Sequence, residues 1–317
     1  MKHLSILLCA AILTITTHAQ QQLWSGKYDF EIMHPQKVGF SSDSKYFAVG
    51  SNNGYATIYT ADSGLVYDNL HLNSSHVFCT LFQPGGTVLA LGDKEGYIVF
   101  YDYAARKEIK TTFGHMGGVL AMAFSADGKY LLTGGNDKII TVWNPLTGER
   151  IKTINSAEHK IHALAITNDN RSVYAATTSL LKGLRQFDFN SGTQVHEYES
   201  ANVQTLAVSA DNNYLATANL NKLVPLFLLK TGALKTNLAG HTRYVNDICF
   251  SPSGKFLFSG GNDKEVMIFS LWDKVNTIEF FKTPDAIHTL AVAPNGKYLA
   301  VLDAGNTFYI LNATEYQ

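Results

Sequence analysis

A short pattern recurs along this chain at a fixed interval, and that interval limits the available folds more than any other feature. An apolar strand end, a turn of small polar residues and a second apolar run occur as "VGFSSDSKYFAVG", "TLFQPGGTVLALG", "AMAFSADGKYLLTG", "LAITNDNRSVYAA", "LAVSADNNYLATA", "ICFSPSGKFLFSG" and "LAVAPNGKYLAVL". The last apolar residue before each turn is Phe40, Phe82, Phe124, Ile166, Val208, Phe250 and Val292, so the seven copies are evenly spaced along the chain. Such spacing marks an architecture whose units bury their apolar faces against each other.

One copy reads as a small antiparallel sheet. Asp127-Gly128 and Asn295-Gly296 are hairpin signals in which both central residues tolerate positive φ. Ser253-Gly254 and Gly85-Gly86 serve similarly, and Asp43-Ser44, Asp169-Asn170 and Asp211-Asn212 are weaker versions. A third strand follows ("YIVFYD", "IITVWN", "EVMIFS"), then a Thr-Gly or Ser-Gly turn at 147–148, 191–192 and 231–232, then a fourth strand such as "RIKTI". Four strands within each interval make one propeller blade, so the expected fold is all-β, a seven-bladed β-propeller of four-stranded antiparallel blades. The blades fall at approximately 34–70, 71–112, 113–154, 155–199, 200–238, 239–281 and 282–317 plus 23–33. The last copy ends after three strands. The stretch "SGKYDFEIM", residues 25–33, reads as a Ser-Gly turn plus the missing fourth strand, so that the N-terminal strand closes the ring and leaves no open edge in that blade.

The pentapeptide Gly-Gly-Asn-Asp-Lys occurs at 134–138 and again at 260–264. The first copy sits in "FGHMGGVLAMAFSADGKYLLTGGNDKIITVWNPLTGERI" with Gly114-His115, Thr133, Asp137 and Trp143; the second has Gly240-His241, Ser259, Asp263 and Phe269. On these residues the chain resembles the WD40 repeat family over 23–317. The resemblance implies a buried relay from Trp143 through Thr133 and His115 to Asp137, with His241, Ser259 and Asp263 repeating it. Phe269 has no N–H, so the second relay is expected to be the weaker. His115, Thr133 and Asp137 match a hydrolase triad in composition, but an interior hydroxyl duplicated three blades away favours a structural role. Elsewhere the turn-aspartate position holds Asn53, Glu95, Ser179, Asn221 and Gly305, and the tryptophan position holds Tyr59, Tyr101, Phe187, Phe227 and Leu311.

Positions 1–19 carry a basic start at Lys2, an apolar run from Leu4 to Ile15 and small residues Thr17 and Ala19. That pattern reads as a cleaved signal peptide and predicts an exported protein, periplasmic or secreted. The apolar run is too short to span a bilayer. A net charge of −1, with no long basic run, argues against nucleic acid as the partner. Beyond Cys9, the two cysteines Cys79 and Cys249 read as buried free thiols.

No zinc spacing, phosphate loop or Gly-x-Ser-x-Gly elbow occurs, so no cofactor, no metal and no catalytic residue is expected. The resemblance places the loops leading into the innermost strands on one face, beside the turns between second and third strands. One register of those loops reads His34, His76, Gly118, Lys160, Asn202, Tyr244 and Ala286, with Arg243 beside Tyr244. Histidine, arginine and tyrosine suit interface anchors, so His34, His76, Lys160, Asn202, Arg243 and Tyr244 form the candidate partner-binding rim. The expected function is a monomeric, non-catalytic scaffold for protein partners. The competing reading is a propeller enzyme, or a small-ligand or carbohydrate binder, using the central channel. A metal site built from His34, His76, His162 and His288 is the weaker possibility, because no carboxylate partners them. Leu180 and Leu181 in a lengthened turn, and Trp272 on the opposite face, are candidate contact residues.

Overall fold

The computed structural model describes residues 22–27, 37–74, 76–155, 159–272 and 276–317. Strand β1 (Gln22–Lys27) comes first. Blade one is β2–β5 (Gly39–Phe40, Tyr46–Gly50, Tyr55–Thr60, Val66–His71), and blade two is β6–β9 (Val77–Phe82, Val88–Asp93, Tyr97–Asp102, Lys107–Phe113). Blade three is β10–β13 (Val119–Phe124, Leu131–Gly135, Ile139–Asn144, Glu149–Asn155), and blade four is β14–β17 (Ile161–Ile166, Ser172–Thr177, Leu184–Asp188, Gln194–Tyr198). Blade five is β18–β21 (Val203–Val208, Tyr214–Asn219, Val224–Leu228, Leu234–Leu238), and blade six is β22–β25 (Val245–Phe250, Phe256–Gly261, Glu265–Ser270, Asn276–Lys282). Blade seven is β26–β28 (Ile287–Val292, Tyr298–Asp303, Thr307–Asn312) completed by β1. The fold is a seven-bladed propeller of four-stranded antiparallel sheets. Among the described residues, no helix is long and apolar enough to cross a membrane.

Seven apolar clusters hold the ring together, one between each pair of neighbouring blades. Each sheet is covered on both faces, which is why a middle strand such as β7 is buried at every position instead of alternating. Packing between sheets, rather than any single blade, supplies the core.

The chain ends meet as expected, but in a different register. Strand β1 pairs with β28 through Trp24 opposite Ile310, Ser25 opposite Tyr309 and Gly26 opposite Phe308. Ser25-Gly26 therefore lies inside the strand and is not the turn before it; residues 28–33 of the expected strand lie outside the described residues. The correction has a packing cause. Trp24 stands edge-on to Phe308 at 5.3 Å and reaches Phe47 of blade one at 5.9 Å. A Cβ on Gly26 would come within 2.6 Å of the Phe308 ring, so glycine lets the strand lie flat against it.

The inner hairpins also differ from expectation. Asp127 is not left-handed; the single positive φ falls on Gly128, at 68°, and likewise on Ser44, Asn170, Asn212, Gly254 and Gly296. This is a type I turn followed by one left-handed residue rather than a turn with two. A side-chain clasp fixes it. The hydroxyls of Ser41, Ser125, Thr167 and Ser209 each donate to the aspartate two residues on at 2.6 Å, and those aspartates accept the amides of Lys45, Lys129, Arg171 and Asn213.

Around the channel, the pairing of first and second strands slips by one residue in six blades: between Val77 and Cys79, and at the matching place in blades three to seven. The bulged residues are Phe78, Leu120, His162, Gln204, Asn246 and His288, and all six line the channel. Below them Asp247 ties three blades together. It accepts the hydroxyl of Thr205 in blade five at 3.2 Å, the hydroxyl of Thr289 in blade seven at 2.7 Å and the Leu290 amide at 3.1 Å. The Cys79 thiol has no disulfide, and burial pushes its pKa up to about 12; burial raises Cys249 as well.

Candidate functional site

A repeated backbone latch brings two loop sets onto one face. In five blades the residue before the innermost strand offers its carbonyl to the turn between the second and third strands of the same blade. His76 accepts from Lys94 at 3.1 Å, Lys160 from Thr178 at 3.2 Å and Asn202 from Leu220 at 3.2 Å. Tyr244 accepts from Asn262 at 2.8 Å and Ala286 from Ala304 at 2.7 Å. His76, Lys160, Asn202 and Tyr244 thus share one rim by backbone geometry; His34 lies outside the described residues.

The rim residues do not form one cluster. Lys160 and Asn202 join Lys94, Asn136, His162 and Gln204 around a cavity of about 750 Å³ over blades two to five. Arg243 and Tyr244 stand apart on blade six and are exposed. Of the other candidate contacts, Leu180, Leu181 and Trp272 are all strongly exposed, at 72%, 78% and 67%.

Charge marks out the rim. On the rim side Lys94, Lys160, Lys222 and Arg243 are exposed, and none forms an ion pair among the described residues. On the opposite face three cations are neutralised within their own hairpins, Lys45 by Asp43 at 3.4 Å, Lys129 by Asp127 at 3.5 Å and Arg171 by Asp169 at 3.7 Å, whereas Lys255 and Lys297 follow turns with Ser253 and Asn295 in place of the aspartate. A near-zero net charge is thus compatible with a rim that carries several unpaired cations.

The channel offers less. It encloses about 90 Å³ and is lined by Phe78, Leu120, Met122, His162, Asp247 and His288 among others. Asp247 is the lining carboxylate, and its oxygens already accept from Thr205, Thr289 and Leu290. Burial lowers the His162 pKa below the ordinary imidazole value. Among the described residues, no group of three or more His, Cys, Asp or Glu could hold a metal.

The histidine and hydroxyl of the blade three relay are sealed inside. Trp143 Nε1–H donates to Thr133 Oγ1 at 2.8 Å, and Thr133 Oγ1 lies 2.7 Å from His115 Nε2. His115 Nδ1 lies 2.9 Å from Asp137, which also accepts the Met116 and Ile139 amides. The donors run one way if His115 is protonated on Nδ1. Burial opposes ionisation of Asp137, but the His115 bond and the two amides outweigh it and hold its pKa below the usual carboxylate value. His115 and Thr133 have no exposed surface, so no substrate reaches that hydroxyl.

Blade six lacks the indole donor, as expected, but keeps the aspartate end of the relay. His241 contacts Ser259 at 2.7 Å and Asp263 at 2.9 Å, and Asp263 accepts the Thr242 amide at 2.8 Å. Phe269 removes a donor only at the serine end. The aspartate end is as well bonded as in blade three, and Asp263 is the more buried of the two, at 3% against 13%.

Blades two and seven reach the same end from another position. Asp303 accepts the Gly305 and Thr307 amides at 3.0 and 2.9 Å and the Tyr309 hydroxyl at 3.0 Å. Asp93 accepts the Tyr97 amide at 2.7 Å. Both stand two residues before the position read in the sequence, where blades three and six have Gly135 and Gly261. An aspartate recurring at that column was the available signal.

Two segments, 106–144 and 232–270, match the family model described as WD domain, G-beta repeat, and they contain the blade three and blade six relays. Periodic tryptophan protein 2 of Arabidopsis thaliana is 27% identical over 80% of this chain and 28% of its own length. U3 small nucleolar RNA-associated protein 15 homolog of Xenopus tropicalis is 24% identical over 74% of this chain and 45% of its own. Pre-mRNA-processing factor 19 homolog 2 of Arabidopsis thaliana is 28% identical over 73% and 45%. The chain thus spans less than half the length of these relatives. They correct the expectation of export, since names built on small nucleolar RNA and pre-mRNA processing point away from a periplasmic or secreted location. Residues 1–19, on which that expectation rested, lie outside the described residues. The sheet topology is that of a seven-bladed β-propeller, and two of its segments match the WD40 repeat model.

Proposed function

We propose that this chain is a rigid, non-catalytic interaction scaffold that presents its cation-bearing rim to an acidic segment of a protein partner. The observation that carries the reading is the contrast between the rim cations and three cations of the opposite face. Lys94, Lys160, Lys222 and Arg243 lack local counter-ions, while Lys45, Lys129 and Arg171 have them. Unpaired cations on a preformed rim attract an anionic partner and set its approach. The relatives' names, one of them RNA-associated, fit a protein that works within assemblies.

The test is fluorescence anisotropy with a labelled oligo-glutamate peptide at low and high salt. Lys94→Glu/Lys160→Glu/Arg243→Glu should weaken binding at least tenfold, whereas the opposite-face control Lys45→Glu/Lys129→Glu should not. Equal binding by both variants would sink the reading. Tighter binding of labelled oligo-uridine than of the peptide would replace the acidic protein with a nucleic acid.

A further inference from the structure

Blade five lacks every part of the relay except its hydroxyl. At the positions two repeats beyond His115, Thr133, Asp137 and Trp143 stand Glu199, Thr217, Asn221 and Phe227. Glutamate replaces the imidazole, and a phenyl ring replaces the larger indole. The space they leave is open: a cleft of about 720 Å³ between blades four and five, lined by Tyr198, Glu199, Asn219, Asn221, Phe227 and Leu234 among others. It runs from the β19–β20 turn at the rim to Gly232 in the turn between β20 and β21. Its volume is in the range of ligand clefts, roughly 300–1,000 Å³.

Two buried polar atoms of blade five are left without a partner, one behind the cleft and one lining it. Thr217 Oγ1, fully buried, has no hydrogen-bond partner among the described residues, although its counterpart Thr133 has two. Asn219 lines the cleft, is 6% exposed, and donates weakly to Ser200 Oγ at 3.3 Å while its Oδ1 has no partner. Its counterparts Ser51, Asp93 and Asp303 each accept an amide of their own turn. In blade five Asn221 takes over that task for Leu223, which frees Asn219. Blade two, which also lacks the relay, opens a smaller cleft of about 430 Å³, but Asp93 there is occupied. A buried acceptor left unmet is costly, so a donor supplied from outside is favoured.

The charge of the cleft names the donor. Glu197 is already paired with Lys182 and Arg185, each at 3.1 Å. Glu199 has no cation beside it among the described residues. Aromatic rings from Tyr198 and Phe227 line the same wall. We propose that this cleft receives an arginine side chain from an extended segment of a protein partner, with Asn219 as the buried acceptor and Glu199 as the counter-charge. A planar guanidinium can serve an amide oxygen and a carboxylate together and stack on an aromatic ring, which a lysine ammonium or an anion cannot.

The full chain is titrated with N-acetyl-arginine amide and followed by amide-resolved NMR, with N-acetyl-citrulline amide, N-acetyl-glutamate amide and spermidine as parallel probes. Saturable shifts confined to residues around Tyr198, Asn219 and Phe227 are expected with the arginine probe, at least fivefold tighter than with citrulline. Glu199→Gln/Asn219→Leu should abolish them; the single variant Glu199→Gln, which alters an exposed side chain, should weaken them if the double variant does not fold. No saturable shift, equal shifts with citrulline or glutamate, or equal binding of spermidine would overturn the proposal.

Discussion

Trp24 Nε1–H donates to the Ala61 carbonyl at 2.9 Å, and this bond ties the strand that completes blade seven to the outer turn of blade one. The same indole packs on Phe47 and Phe308, so one side chain bridges the seam where the ring closes. Trp24→Ala should lower stability by about 2–3 kcal/mol, below the usual range for a fully buried tryptophan because this one is half-buried. Leu23→Ala, on the exposed side of the same strand, should leave the melting temperature within about 1–2 °C of the parent by the usual small effect of surface substitutions. Thermal unfolding of the two variants beside the parent checks the pair; equal shifts would remove the special role of the indole.

Asp137→Ala and Asp263→Ala should each cost roughly 1–3 kcal/mol, because each strands a histidine N–H and two turn amides. The second should cost at least as much as the first, given its deeper burial. Trp143→Phe copies the blade six arrangement and should cost less than either aspartate change. Urea unfolding with unchanged m-values reads all three. A clearly milder Asp263→Ala would show that the missing indole weakens the whole relay.

Asp247→Ala should destabilise by about 2–4 kcal/mol, since it leaves the Thr205 and Thr289 hydroxyls and the Leu290 amide without an acceptor in a buried place. The effect is expected in blades five to seven first. Hydrogen exchange of β18, β22 and β26 against β6 measures it, and uniform loss of protection around the ring would contradict a local staple.

Seven aspartates among the described residues have lowered pKa values, and at Asp188 the Ser191 amide is the leading cause. For Asp127 and Asp169 the hydroxyl bonds of Ser125 and Thr167 are the leading cause; for Asp43, Asp211, Asp137 and Asp263 burial opposes the shift and hydrogen bonds outweigh it. A depressed carboxylate adds stability above its unfolded pKa, about 3.9, and that stability is lost as pH falls through the folded value. The melting temperature should therefore hold from pH 7 to about pH 4.5 and then drop steeply on the same account. A variant with Asp43, Asp127, Asp169 and Asp211 all changed to asparagine should begin lower and show a shallower acid slope. A parent curve flat to pH 3 would falsify this origin of acid sensitivity.

The constant repeat interval determined the blade number, the strand count per blade and the closure by the N-terminal strand, because interval and hairpin chemistry are local properties of the chain. Relay members could be named in advance for the same reason: Gly-His, hydroxyl, aspartate and tryptophan keep fixed offsets within one copy. What no offset encodes is a contact between copies. Strand β1 runs through Ser25-Gly26 because the Phe308 ring, at the far end of the chain, leaves room there for no side chain. Asp247 binds blades five and seven through threonines one repeat away on each side, and only ring geometry puts all three at one level. The rim latch, the unpaired cations of the rim and the stranded Asn219 amide likewise arise from neighbours brought together by closure. Local spacing set what each blade is; the packing of one blade on the next decided which polar groups are satisfied and which remain free to bind.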